Sequence, residues 1–334
     1  RKRRHNIYNL IMHWKLLPTL LIILFLGSCK SDPKDPKKPI NNPPPKVTQV
    51  SFNADSAYAF VEAQVAFGPR VPGTQAHQKT LNYLKDKLAE YCDTAEVLSG
   101  TLTKRDKTVV PIYNVWGRFD VDNPKRIVLA AHWDTRPQSD EDPEVNDVPA
   151  DGANDGGSGV GVLLEIARQL QKLKPAYGID IIFFDQEDGG ESGGPPDTWC
   201  LGSQFWANEV LNSDYNANHG ILLDMVGAQN ATFALEGNSA MFNQSLLLEV
   251  WKTGQGLGYG SYFLSIPGNT ITDDHVYMNR FAGIPTIDII HYDLKTQNRF
   301  PDHWHKQTDN MDVIDRNTLK AVGHTVLHLI ANKR

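Results

Sequence analysis

Cysteine is scarce in this 334-residue chain, which has Cys29, Cys92 and Cys200 and no others. Three thiols make no disulfide framework, so the fold has to rest on an apolar core. Whether Cys92 and Cys200 pair is open from the sequence. An excess of basic charge is also missing: 33 Lys and Arg stand against 39 Asp and Glu, for a net charge of -6. With no arginine-rich or RNP-like segment beyond the first residues, nucleic acid is excluded as a partner. A membrane span needs roughly 20 apolar residues, and the run from Leu16 to Leu26 is too short for one. The glycine cluster Gly156-Gly157-Ser158-Gly159 has no Lys-Ser/Thr after it, does not complete G-x-G-x-x-G, and gives Ser158 no G-x-S-x-G elbow. Phosphate-loop, dinucleotide and serine-hydrolase chemistry are thereby set aside, and the cluster reads as a tight turn into a helix.

The chain opens with Arg1 to Arg4, then the apolar run, then Leu26-Gly27-Ser28-Cys29 and a polar, proline-rich stretch from Lys30 to Lys46. A basic, apolar and small-residue order of this kind is a signal peptide rather than an anchor helix. The tetrad ending at Cys29 resembles a bacterial lipobox. That resemblance implies a lipoprotein signal over residues 1–28, diacylglycerol on Cys29 as the membrane contact, and a cell-envelope location, facing the periplasm or on the outer membrane. A plain secretory signal with an incidental cysteine is the alternative. Residues 29–50 read as a proline-rich tether, and residues 51–334 as the folded domain.

Within that domain, helices are expected around Asp55 to Ala66, Gln75 to Glu90 and Asp315 to Ile330. Val160, Leu163, Leu164, Ala167 and Leu170 recur on one face of another helix. Continuous apolar strands are expected near Val109 to Trp116, Arg126 to Ala131, Ile179 to Phe184, Gly220 to Leu223 and Pro285 to Ile290. Such strands alternating with helices predict a mostly parallel sheet covered on both faces. His324 and His328 sit opposite the apolar face of the last helix and have no glutamate for company, so they read as a solvated face.

Chemistry gathers at the strand ends. Phe183-Phe184-Asp185-Gln186-Glu187-Asp188 runs an apolar strand into carboxylates, which is costly unless they serve a purpose. His132-Trp133-Asp134 and Asp224 follow two other strands, Gly152-Ala153-Asn154-Asp155-Gly156 forms a loop, and Trp304-His305 comes late. Open α/β sheets put their sites at the carboxyl ends of strands, and zinc takes imidazole and carboxylate ligands, three of them in a catalytic site. The set outlines a metal site.

The order H-x-D, G-A-N-D, acidic pair, Asp and late His resembles the zinc aminopeptidase superfamily that includes the glutaminyl cyclases, from about Ser51 onward. Asp273-Asp274-His275, Phe300-Pro301-Asp302-His303-Trp304-His305, Gly220 to Gly227 and Asp309 to Asp315 resemble the cyclase branch, in its Bacteroidetes form. The resemblance implies a single α/β/α three-layer domain with a mixed, mostly parallel sheet. It further implies one zinc per chain on Asp155, Asp188 and His305, and Glu187 as general acid and base. Asp224 and Asp273 would hydrogen-bond around Glu187, and Trp304, Phe300 and Trp199 would line the substrate pocket. The implied substrate is a peptide or protein with N-terminal glutamine, converted to pyroglutamate with release of ammonia by an enzyme expected to be a monomer. The animal enzymes usually carry two glutamates where this chain has Glu187 and Asp188, and aspartate remains a competent oxygen ligand.

Two rivals stay open. All five ligands of a two-zinc aminopeptidase are nominally present: His132 and Asp224 for a second metal, Asp155 bridging, and Asp188 with His305 for the first. A binding module on the same scaffold would have lost ligands, and none is missing.

Overall fold

The computed structural model describes residues 47–104 and 106–334. The signal peptide, the lipobox and the tether up to residue 46 lie outside the described residues. Residues 47–50, expected in the tether, are instead fastened to the last helix. Thr48 donates its amide to Asn332 Oδ1 at 2.7 Å, and Asn332 Nδ2 returns a bond to the Thr48 carbonyl at 3.1 Å.

The element order is α1 (Ala54–Val65), α2 (Gln75–Tyr91), β1 (Thr94–Thr103), β2 (Val109–Phe119), β3 (Arg126–His132), α3 (Ser158–Leu170), β4 (Gly178–Phe184), α4 (Leu201–Leu211), β5 (His219–Asp224), β6 (Phe233–Leu235), α5 (Gly237–Gly256), β7 (Phe263–Pro267), α6 (Asp274–Arg280), β8 (Thr286–Ile290) and α7 (Arg316–Asn332). Six strands form one sheet in the order β1-β2-β4-β3-β5-β8, and β6 and β7 form a small parallel pair. Strands β4, β3, β5 and β8 run parallel, whereas β2 is antiparallel to both of its neighbours. The sheet is therefore mixed and mostly parallel, and helices cover both faces.

Period-two alternation divides the strands between two cores. Ile127, Leu129, Ala131, Ile181, Phe183 and Leu223 pack with α1, α2, α3, α5 and α7, while Val128, Ala130, Ile182, Phe184 and Leu222 pack with Trp206 of α4 and Met278 of α6. Burial on both faces is why the strands read as unbroken apolar runs. β1 is an edge strand with a mixed burial pattern and carries no such run, so the sequence alone does not reveal it.

Helix α3 lies unusually close to the sheet. A Cβ at Gly159 would meet the Leu223 carbonyl oxygen at 2.3 Å and Ala131 Cβ at 2.9 Å. The turn before it needs Gly156 at φ +82°, and a side chain there would strike the Asp134 carbonyl. The glycine cluster is thus a tight turn into a helix with a close approach.

One expectation changes and one open question is answered. His324 and His328 are partly buried rather than solvated, and His324 Nδ1 lies 2.9 Å from the Tyr259 hydroxyl, because α7 packs beside the end of α5. Cys92 and Cys200 are both unpaired, the first capping α2 and the second capping α4. No helix among the described residues is long and apolar enough to cross a membrane.

Gly159→Val is expected to destabilise the fold by roughly 1 to 3 kcal/mol, the usual cost of overpacking, because the obstacle is backbone that cannot move aside. Urea unfolding of the two proteins checks this, and equal midpoints would contradict the close approach.

Candidate metal centre and substrate pocket

The parallel strands end level with one another. The register pairs His132 with Phe184 and Asp224 with Ile290, so the residues that follow these strands emerge along one rim. Immediately past β4, Gln186 adopts a left-handed φ of +56°, a conformation rarely taken by residues other than glycine. The chain turns there and lifts Glu187 and Asp188 out of the sheet. Asp134, just past β3, secures that turn: its two carboxylate oxygens accept the amides of Glu187 at 3.0 Å and Asp188 at 3.2 Å.

A second buried carboxylate does the same for the loop before α3. Asp309 accepts the amides of Asn154 at 2.8 Å and Asp155 at 3.0 Å. Burial and the nearby Asp155 push its carboxyl up to about 8. The fully buried Arg70 binds the carbonyls of Trp133, Gly152 and Asp151, tying the β3 exit to this loop. Burial lowers the Arg70 guanidinium to about 10 against the pull of Asp309 and Asp134.

His305 arrives from the opposite side, itself at φ +55°. Its Nδ1 lies 3.0 Å from Asp140 Oδ1, which leaves Nε2 facing Asp188 Oδ1 at 3.2 Å and Asp155 Oδ2 at 3.9 Å. Asp140 also receives Arg136 Nε at 2.7 Å and the Ser192 hydroxyl at 2.5 Å. Although burial opposes it, the bonds from His305, Arg136 and Ser192 hold Asp140 well below the usual carboxylate range.

Asp155, Asp188 and His305 each offer one ligand atom, all within 4.8 Å of one another. His132, Asp155 and Asp224 form an adjoining group, with His132 Nε2 3.0 Å from Asp155 Oδ1 and 3.2 Å from Asp224 Oδ1. These are two groups that could hold a metal ion, and Asp155 is common to both. Their chemistry suits zinc, since both contain imidazole nitrogen and carboxylate oxygen. In the first group the histidine's other nitrogen is already engaged by a carboxylate, the arrangement that orients a ligating imidazole. Burial pushes Glu187 well above the ordinary carboxylate range, with Asp188 and Asp273 adding to it against the pull of His132. Burial likewise lifts Asp224 to about 7 and raises Asp273.

Not all expected roles match the contacts. No hydrogen bond runs from Asp224 or Asp273 to the Glu187 carboxylate among the described residues. Asp224 faces His132, and Asp273 caps α6 by accepting the Asp274 amide. What donates to Glu187 is the thiol of Cys200, 3.3 Å from Oε1.

Above these groups lies a cavity of about 490 Å³, lined among others by Glu187, Asp273, Trp199, Phe300 and Trp304. The Trp304 ring stacks on His305 at 3.7 Å and on Phe300 at 4.5 Å, and Trp199 lies 6.3 Å from His305. The Arg136 guanidinium sits 4.7 Å over Trp199 and also binds the carbonyls of Asp188 and Gly190. Arg70, Arg136, Asp140 and Cys200 carried no signal in the chain, since each acts through groups that only the fold brings near.

Asp140→Asn is expected to weaken divalent-metal affinity by at least ~10-fold, the lower bound for losing a carboxylate that orients a ligating histidine. Competition against a chromophoric chelator measures it, and unchanged affinity would remove Asp140 from that role.

The profile of peptidase family M28 matches residues 114–330. The bovine glutaminyl-peptide cyclotransferase is 28% identical over 235 residues, which are 62% of this chain and 62% of that protein. The chain thus matches less than two thirds of the length of this relative. Among solved structures, Tannerella forsythia glutaminyl cyclase is 48% identical with a TM-score of 0.82, covering 85% of this chain and 100% of its own. A Zn-dependent exopeptidase from Parabacteroides distasonis is 50% identical, also at a TM-score of 0.82, covering 85% and 99%. With its family profile spanning well over half the sequence, and its fold shared with these structures, this chain belongs to peptidase family M28.

Proposed function

We propose that the protein is a glutaminyl-peptide cyclotransferase that closes an N-terminal glutamine to pyroglutamate and releases ammonia. The observation that carries this reading is the pocket. Phe300, Trp304 and His305 form a continuous aromatic stack along one wall of a cavity that also holds Glu187, a half-buried carboxylate, among the other acids of the rim. The 48% identity to the Tannerella forsythia glutaminyl cyclase over that chain's whole length supports it.

In this reading Asp155, Asp188 and His305 would hold one zinc. A zinc bound there supplies Lewis-acid polarisation of the substrate's side-chain amide carbonyl. The residues of the chain do the rest. Trp304, Phe300 and Trp199 fold the glutamine side chain back toward its own α-amine, converting the attack into a positioned intramolecular step. As the amine nitrogen bonds to the amide carbon, Glu187 takes its proton. The same carboxyl then delivers that proton to the departing nitrogen, which leaves as ammonia. No water enters the balance, and the aromatic walls serve to keep it out.

The group His132, Asp155 and Asp224 favours a second reading, a two-zinc aminopeptidase. Metal content separates the two. One zinc per chain, unchanged in His132→Ala, supports the cyclase, whereas two, with one lost in that variant, support the peptidase. Incubation with a glutaminyl peptide is expected to remove the mass of one ammonia and to release no free amino acid. Glu187→Gln is expected to keep its zinc while turnover falls at least ~100-fold, the lower end for loss of a general base. An active, zinc-loaded Glu187→Gln would refute the mechanism.

The proposal extends to location. The motif Leu26 to Cys29 and the tether behind it support a lipid-anchored envelope protein. Labelling cells with a radioactive fatty acid should mark the wild type and not Cys29→Ser; an unlabelled wild type would refute the anchor.

A further inference from the structure

Glu187 is the centre of the proposed chemistry, yet neither acid expected to hold it does so. Cys200 grips it twice. The Cys200 amide donates to the Glu187 carbonyl at 2.9 Å, and the Cys200 thiol lies 3.3 Å from Glu187 Oε1. The next residue continues the clamp, with the Leu201 amide donating to the Gln186 carbonyl at 2.9 Å. The N-terminus of α4 is thereby docked against the turn that presents Glu187.

The backbone at Cys200 is itself informative. It is left-handed, at φ 56° and ψ 38°, at the N-cap of α4, where its side chain makes no capping bond to the helix. That conformation is costly for a side chain of this kind, and glycine or asparagine would meet the backbone requirement at less cost. Strain of this sort persists where a side chain is needed elsewhere. The Cys200 side chain is fully buried and turns from the helix toward the acids. Sγ, one oxygen of Glu187 and one oxygen of Asp273 all lie within 4.8 Å of one another. Asp273 is buried as well, its carboxyl paired with that of Asp288.

We propose that Cys200 is a positioning residue for the general base: its thiol donates to Glu187 Oε1 and fixes the carboxylate rotamer, leaving Oε2 to exchange the substrate proton. The thiol S–H can donate, and without a donor the side chain would be free to turn away from the amine. Burial, with the negative charge of Glu187, Asp274 and Asp273 around it, keeps the sulfur protonated and therefore able to donate.

This inference rests on the cyclase reading for its effect on rate, and two measurements keep the two apart. In the first, zinc-loaded wild type, Cys200→Ala and Cys200→Ser are assayed on one glutaminyl peptide. Cys200→Ala is expected to lose on the order of 10-fold in kcat, about one net hydrogen bond's worth of transition-state stabilisation, with KM and zinc content held. Cys200→Ser, which restores a donor, is expected to recover most of the loss. A packing role alone predicts the reverse order, since a buried serine hydroxyl fills no more space and costs desolvation; serine no better than alanine, or an unaffected kcat in Cys200→Ala, overturns the proposal. The second measurement needs no activity. The infrared S–H stretching band that disappears in Cys200→Ser should lie below the free-thiol position in the wild type, and a band at that position overturns the bond. A wild type that forms no pyroglutamate yet shows the lowered band would refute the cyclase reading and leave the Cys200 bond standing.

Discussion

Like charges buried together repel, and this molecule gathers Asp155, Glu187, Asp188 and Asp224 beside two imidazoles at one rim of one sheet. Nearly every polar contact around the rim serves to make that tolerable. Asp134 and Asp309 each collect two backbone amides and so fix the turns that carry the acids. Arg70 and Arg136, both largely buried, bring positive charge in from behind. A pair of half-satisfied carboxylates would be worse than an apolar core. The site is held because its supporting groups are paired, and its acids and imidazoles include two groups that could hold a metal ion.

The same constraint explains the geometry of the loops. Gln186, Cys200 and His305 all hold left-handed backbone without being glycine, each at or beside the acids and imidazoles of the rim. Arg136 couples these parts physically: one guanidinium touches Asp188, Asp140, Ser192 and the Trp199 ring. The metal group and the aromatic wall of the pocket therefore cannot shift independently. The fold is similar both to a structure described as an exopeptidase and to one described as a glutaminyl cyclase.

Much of this was legible in the chain because strands that are buried on both faces must be apolar throughout, and their ends are then marked by the first residue that cannot be. His132, Glu187 with Asp188, and Asp224 announce themselves in this way, as does the Gly156 to Gly159 turn that brings α3 down on the sheet. The family likeness was readable from the same positions. The edge strand β1 was not, since half its side chains face water, and neither was the partly buried pair His324 and His328, whose surroundings come from α5.

By itself the sequence determined the layers, the parallel core and the identity of the acids and imidazoles at its rim, because hydrophobic periodicity and abrupt polarity are local properties. Only the tertiary structure decided which of those groups touch. It turned Asp224 toward His132 rather than Glu187, gave Glu187 a thiol for a partner, and set Arg70, Arg136, Asp140 and Asp309 behind the site. Those pairings span up to 165 residues of chain. Side-chain hydrogen bonds act over about 3 Å, so which donor meets which acceptor is fixed by packing, and packing leaves no local trace in the sequence.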